Sequence, residues 1–88
     1  MEDNAKTTYI DVREPMEFAA GHLEGAINIP VGSISDGVTA LQGIPKDSKL
    51  VVYCRSGGRA ENARAQLQQL GFNDVVNGIN QDAIESNN

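Results

Sequence analysis

Apolar positions come along this 88-residue chain in short bursts whose spacing alternates between that of strands and that of helices. Thr8-Tyr9-Ile10-Asp11-Val12 predicts a first strand. A short helix is expected over Pro15–Ala20, with proline in its first turn, where a missing N–H costs nothing, and Gly21 ends it. Ala26–Ile29 predicts a second strand, stopped by Pro30. Val31–Leu41 reads either way, as helical turns interrupted at Gly32 and Gly37. Lys49-Leu50-Val51-Val52-Tyr53 is the strongest strand, β-branched and almost continuously apolar after the turn-like Pro45-Lys46-Asp47-Ser48. An unalternating run of this kind suits a strand covered on both faces, as in a parallel sheet. The clearest helix is Ala60–Leu70, where Ala60, Ala63, Leu67 and Leu70 fall on one face and Gly71 supplies the C-terminal cap. Asp74–Val76 predicts a last, short strand. Strands and helices in alternation predict an α/β fold with a central, mainly parallel sheet flanked by helices.

The length suits one domain over 1–88, at the small end of what folds on a single core, with residues 1–7 and the polar tail 81–88 expected to fray. Aromatic residues are few (Tyr9, Phe18, Tyr53, Phe72) and tryptophan is absent, so Val, Ile, Leu and Ala must build the interior. The formal charge of −5 makes nucleic acid and anionic membrane poor partners, because phosphates repel such a chain at long range. No apolar stretch approaches membrane-spanning length, and Met1–Lys6 lacks the apolar centre of a signal peptide, so a soluble protein is expected. The compartment stays open, the cytoplasm being favoured and the periplasm allowed if a leader has been removed. Oligomeric state leaves no mark in the sequence.

Acidity makes one local exception informative. Three of the seven basic residues, Arg55, Arg59 and Arg64, lie within ten positions after Cys54, the only cysteine. A single cysteine excludes an internal disulfide, and no ligand set for tetrahedral zinc is present, so neither a metal nor another cofactor is expected. Tyr53-Cys54-Arg55-Ser56-Gly57-Gly58-Arg59-Ala60 places the thiol between the strongest strand and the clearest helix. Ligands of α/β sheets bind just beyond the carboxyl ends of strands, and the helix start adds unpaired N–H groups with partial positive charge. Gly57 and Gly58 can turn successive N–H groups inward as an anion nest. A thiolate, the nucleophilic form, would be stabilised there by the amides and by Arg55 and Arg59. A core cysteine before a tight glycine turn is the plainer reading, and the assembled features outweigh it. Such arrangements serve sulfur transfer, low-molecular-weight and dual-specificity phosphatases, and arsenate reduction alike. His22, the single histidine, is far from the loop in sequence.

Asp11-Val12-Arg13-Glu14-Pro15-Met16-Glu17-Phe18, Gly21-His22-Leu23-Glu24-Gly25-Ala26-Ile27-Asn28-Ile29-Pro30 and Cys54-Arg55-Ser56-Gly57-Gly58-Arg59-Ala60 together resemble, in the right order, the motifs of the rhodanese domain. The resemblance runs from about Tyr9 to Val76, includes Gly71-Phe72, and is nearest the smallest stand-alone members. It implies a thiosulfate sulfurtransferase in which Cys54 carries the sulfur as a persulfide. It implies that Arg55, Ser56, Gly57, Gly58 and Arg59 hold an anionic small-molecule donor, typically thiosulfate, and that cyanide or a thiol accepts the sulfur. Asp11 and Arg13 resemble the family's supporting pair beneath the loop, and His22 with Asn28 is expected to brace the second strand. Six residues separate cysteine from arginine inclusively, where related phosphatases and arsenate reductases of this fold have one more, which suits sulfur here over phosphate or arsenate. A non-catalytic rhodanese-like binding or regulatory module is the alternative, although such modules commonly lack the cysteine. Two departures touch the edges of the fold: Asn77-Gly78-Ile79-Asn80 stands where members often carry Gly-Gly followed by Trp, and the strand that usually precedes Asp-Val-Arg is not evident.

Overall fold

The computed structural model describes residues 7–35 and 41–86 of the chain. Four strands form one parallel sheet: β1 (Thr7–Asp11), β2 (Ile27–Asn28), β3 (Lys49–Cys54) and β4 (Asp74–Asn80), in the order β2-β1-β3-β4. Helix α1 (Pro15–Ala20) follows β1, α2 (Gly58–Gln69) connects β3 to β4, and α3 (Gln81–Ser86) leaves the end of β4. Val31–Ser33 is a single 3₁₀ turn. Of the ambiguous stretch Val31–Leu41, the part 36–40 lies outside the described residues; of the end 1–7 expected to fray, 1–6 lie outside them too, and Thr7 is not frayed but opens β1, paired with Lys49.

β3 is central, and its unalternating sequence is answered on both faces. Leu50, Val52 and Cys54 pack with Ile10 and Val12 of the β1 segment against Ala60, Ala63 and Leu67 of α2. Val51 and Tyr53 point the other way, to Leu23, Ala26 and Ile84, with Tyr9 and Phe18 beside them. Each Val, Leu or Ile side chain among these contributes about 1.5–3 kcal/mol when fully buried. The end of α2 closes as a Schellman motif: Phe72 N–H reaches the Leu67 carbonyl at 3.1 Å and Gly71 N–H the Gln68 carbonyl at 3.0 Å.

Two expectations at the C-terminal end need correction. The last strand is not the three residues Asp74–Val76 but runs to Asn80, because pairing with β3 continues past a bulge in which Gly78 is the extra residue between Asn77 and Ile79. The tail expected to fray is helical over Gln81–Ser86, capped by the Asn80 side chain, whose Oδ1 accepts from Ala83 N–H at 2.7 Å, and anchored by buried Ile84. Gly78 permits that anchoring: a Cβ there would stand 2.8 Å from Val51 Cγ1 and 2.9 Å from Ile84 Cδ1.

Connections set the position of the site. From β1 the chain runs to the outer strand β2, and from β3 it runs the opposite way, to β4. The loops after β1 and β3 therefore part at neighbouring strand ends, and a crevice opens between them.

Candidate active site

Cys54 ends β3 at that crevice. With Arg13, Tyr53, Arg55, Asn80, Gln81 and Asp82 it lines a cleft of about 240 Å³. The residue itself is only 3% exposed, so its sulfur forms part of the floor. Gly57 N–H donates to Sγ at 3.1 Å. Gly57 is left-handed, at φ 95°, which a residue with a Cβ adopts only under strain. Burial pushes the Cys54 thiol up, but the backbone amides of Ala60, Ser56, Gly57 and Arg59 together outweigh it and bring the thiol below its ordinary value. These amides belong to the loop and the first turn of α2, where helix N–H groups have no partner within the helix. The loop is thus an amide cradle around a sulfur atom poised toward thiolate.

The three arginines differ in how they are held. Arg13 donates through Nε and Nη2 to buried Asp11, at 2.9 and 2.6 Å, and through Nη2 to the Gly21 carbonyl at 2.7 Å. Its guanidinium lies 5.8 Å from the centre of the Tyr53 ring, whose hydroxyl accepts from Leu23 N–H at 3.0 Å. Asp11 and Arg13, expected beneath the loop, are one locked unit beside the cleft. Arg59 forks onto Glu17 of α1, at 2.8 and 3.2 Å, and does not line the cleft. Arg55 is 74% exposed, with one contact of 3.9 Å to Glu17, and its guanidinium is the one most available to an incoming anion. Ser56 and Gly58 are exposed and do not line the cleft, the former contributing its amide to the sulfur.

Sequence reasoning missed Glu17. It binds Arg59, accepts Glu14 N–H at 2.8 Å, and is held by these two bonds, Arg59 first, at about 2 against an ordinary 4.5. The folded value is the lower one, so the ionised carboxylate stabilises the fold above about pH 4.5 and that contribution is withdrawn as pH falls toward 2. We expect Glu17→Gln to unfold at lower urea than the parent at pH 7, with the two midpoints converging near pH 2. A gap that persisted unchanged at low pH would show that the side chain acts by shape and not by charge. An acid opposite three arginines was a visible signal, but which arginine it meets depends on how α1 lies against α2.

The rim contributed by β4 and α3 was missed too, because the strand was expected to end at Val76. Asn80 Nδ2 donates to the Arg55 carbonyl at 3.3 Å, and Asn77 Nδ2 donates to the Gly57 carbonyl at 3.0 Å. Ile79, between them, has φ 74°, rare for a β-branched residue and costing roughly 1–3 kcal/mol. His22 does not brace the second strand, as expected of it. It stacks on Phe18 with ring centroids 3.6 Å apart, and its Nδ1 lies 2.9 Å from the Phe18 carbonyl, as α1 ends. Asn28 does that bracing alone, donating to the Asp11 and Arg13 carbonyls at 2.9 and 3.0 Å.

Comparisons with known proteins find relatives over most of the chain. The model of the rhodanese-like domain family matches residues 1–79. A protein of Allochromatium vinosum named "Sulfurtransferase" is 37% identical over 75 residues, which are 85% of this chain and 67% of that one. The "Probable adenylyltransferase/sulfurtransferase MoeZ" of Mycobacterium tuberculosis is 37% identical over 76 residues, 86% of this chain, which spans only 19% of that relative's length. Among solved structures, a rhodanese with anions from E. coli superposes with a TM-score of 0.78 at 28% identity, covering 88% of this chain and 89% of the other.

Proposed function

Since this chain belongs to the rhodanese-like domain family and resembles sulfurtransferases within it, we propose that it moves a sulfane sulfur from thiosulfate to a thiol or cyanide through a persulfide on Cys54. The observation that carries the proposal is the Cys54 sulfur at the cleft floor, with Gly57 N–H at 3.1 Å and three further amides acting on it. The Cys54 thiolate attacks the outer sulfur of thiosulfate. The sulfur–sulfur bond of the donor breaks, and sulfite departs with the bonding pair. An acceptor thiolate or cyanide then attacks the outer sulfur of the persulfide, and the Cys54 thiolate leaves with its electrons, so the cycle closes without an oxidant.

Stabilising the thiolate serves both halves of this cycle: it raises the fraction of nucleophile in the first and makes Cys54 the better leaving group in the second. Arg55, exposed at the rim, is suited to meet the donor's negative charge, Arg13, committed to Asp11, shapes one wall, and Arg59, committed to Glu17, stands behind the cleft. The test is intact-protein mass spectrometry of the reduced, folded chain after mixing with thiosulfate. A gain of about 32 Da that cyanide or a reducing thiol removes is the expected result. No adduct on folded, reduced protein would exclude the persulfide and turn attention to a binding module of the same fold.

A further inference from the structure

Where the family pattern often has two glycines followed by a tryptophan, this chain has Asn77-Gly78-Ile79-Asn80 at the end of β4. Each asparagine spends both ends of its amide. Asn77 Nδ2 donates to the Gly57 carbonyl at 3.0 Å while its Oδ1 accepts from Ile79 N–H at 2.9 Å. Asn80 Nδ2 donates to the Arg55 carbonyl at 3.3 Å while its Oδ1 caps α3. The Gly78 bulge makes this possible by shifting the register by one, so that Asn77 lies opposite Val52 and Asn80 opposite Cys54.

From this geometry we infer that Asn77 and Asn80 are positioning residues that bolt the Cys54 loop to β4 and thereby hold its amides on the sulfur. The critical link is Gly57. Its carbonyl is gripped by Asn77 and its N–H by Cys54 Sγ, so one residue transmits the position of β4 to the sulfur. A glycine at φ 95° has no side chain of its own to hold that conformation. The Ile79 side chain closes the space over it: a Cβ built on Gly57 would meet Ile79 Cγ2 at 3.5 Å. Asn77 in turn fixes Ile79 through its N–H, so loop and strand end are locked reciprocally. The role of the loop as a sulfur cradle rests on the function proposed above, but the lock itself acts on the thiol whatever the thiol carries.

The experiment is the pH profile of Cys54 alkylation by iodoacetamide in the parent, Asn77→Ser and Asn80→Ser. Serine keeps an acceptor for the Ile79 and Ala83 N–H groups, so the turn and the helix cap survive, but it is too short to reach the loop carbonyls. Both substitutions are neutral and leave the charged groups of the cleft in place, Arg13, Arg55 and Asp82, with Arg59 and Glu17 behind it; Asn77→Ser also releases Glu61, to which Asn77 Nδ2 donates at 3.3 Å and which keeps its pair with Arg64. Asn77→Ser is expected to move the alkylation midpoint to higher pH and to slow alkylation at pH 7 about three-fold or more, since each lost pH unit of thiolate stabilisation is a factor of ten. Asn80→Ser should act in the same direction and less, its bond to the loop being the longer one. Midpoints unchanged in both variants would overturn the inference. A shifted midpoint in protein that forms no persulfide would leave the lock standing and reject the sulfur-transfer reading instead.

Discussion

Cys54→Ser is expected to reduce sulfur transfer to background, a fall of at least about a thousand-fold, while the protein stays folded. A serine hydroxyl titrates far above the working range, and neither the loop amides nor the neighbouring arginines can supply the missing thiolate. Structurally the change is small. The side chain sits at the end of β3 with 3% exposure, and an oxygen in place of sulfur still accepts from Gly57 N–H. Stability should therefore change by no more than about 1 kcal/mol. Thiosulfate–cyanide turnover, urea unfolding and intact mass, read on the same preparation, separate the two effects. Turnover at the parental rate in the serine variant would end the mechanism. Loss of turnover accompanied by loss of the cooperative unfolding transition would instead mean that Cys54 is chiefly a packing residue.

The largest effect on stability is expected from Asp11→Ala, at about 3 kcal/mol. The Asp11 side chain is fully buried and meets a guanidinium whose side chain is 15% exposed. It also accepts from Arg13 N–H at 2.9 Å, so its removal strips a backbone donor as well as the ion pair. What remains is a cation beside the Tyr53 ring with the Gly21 carbonyl as its partner, and an uncompensated charge that is largely out of water is costly. A domain of this size has about twice that much stability in hand, so the urea midpoint should fall steeply. Pairing Asp11→Ala with Arg13→Met should restore part of the loss, because replacing both charges by apolar groups removes the desolvation problem. If the single variant unfolds within about 0.5 kcal/mol of the parent, the pair is an ornament of the cleft wall and not its support.

The family relationship gives these tests their frame without supplying the donor or the acceptor. The chain spans a fifth of one relative and two thirds of another, and the domain thus recurs in proteins of very different length. Whatever the donor, the charges at the cleft are already nearly balanced. Asp11 answers Arg13 and Glu17 answers Arg59, which leaves Arg55 at the rim facing the same cleft as Asp82.

What the amino-acid order determined by itself was local. The alternation of apolar runs announced the α/β class, the long apolar run marked β3 as a strand covered on both faces, and helix α2 was marked by its apolar face and glycine cap, because these follow from periodicity and backbone preference over a few residues. Cysteine, paired glycines and a helix start in one contiguous loop made the candidate nucleophile legible for the same reason. Tertiary structure decided everything that joins distant segments. It chose Glu17 as the partner of Arg59, left His22 stacked on Phe18 and away from the strand, and carried β4 past a bulge to Asn80. Asn77 and Asn80 look in sequence like the polar end of a short strand. Only when β4 lies beside β3 do their amides reach loop carbonyls 20 and 25 positions away, and a hydrogen bond over that separation leaves no periodic trace in the chain.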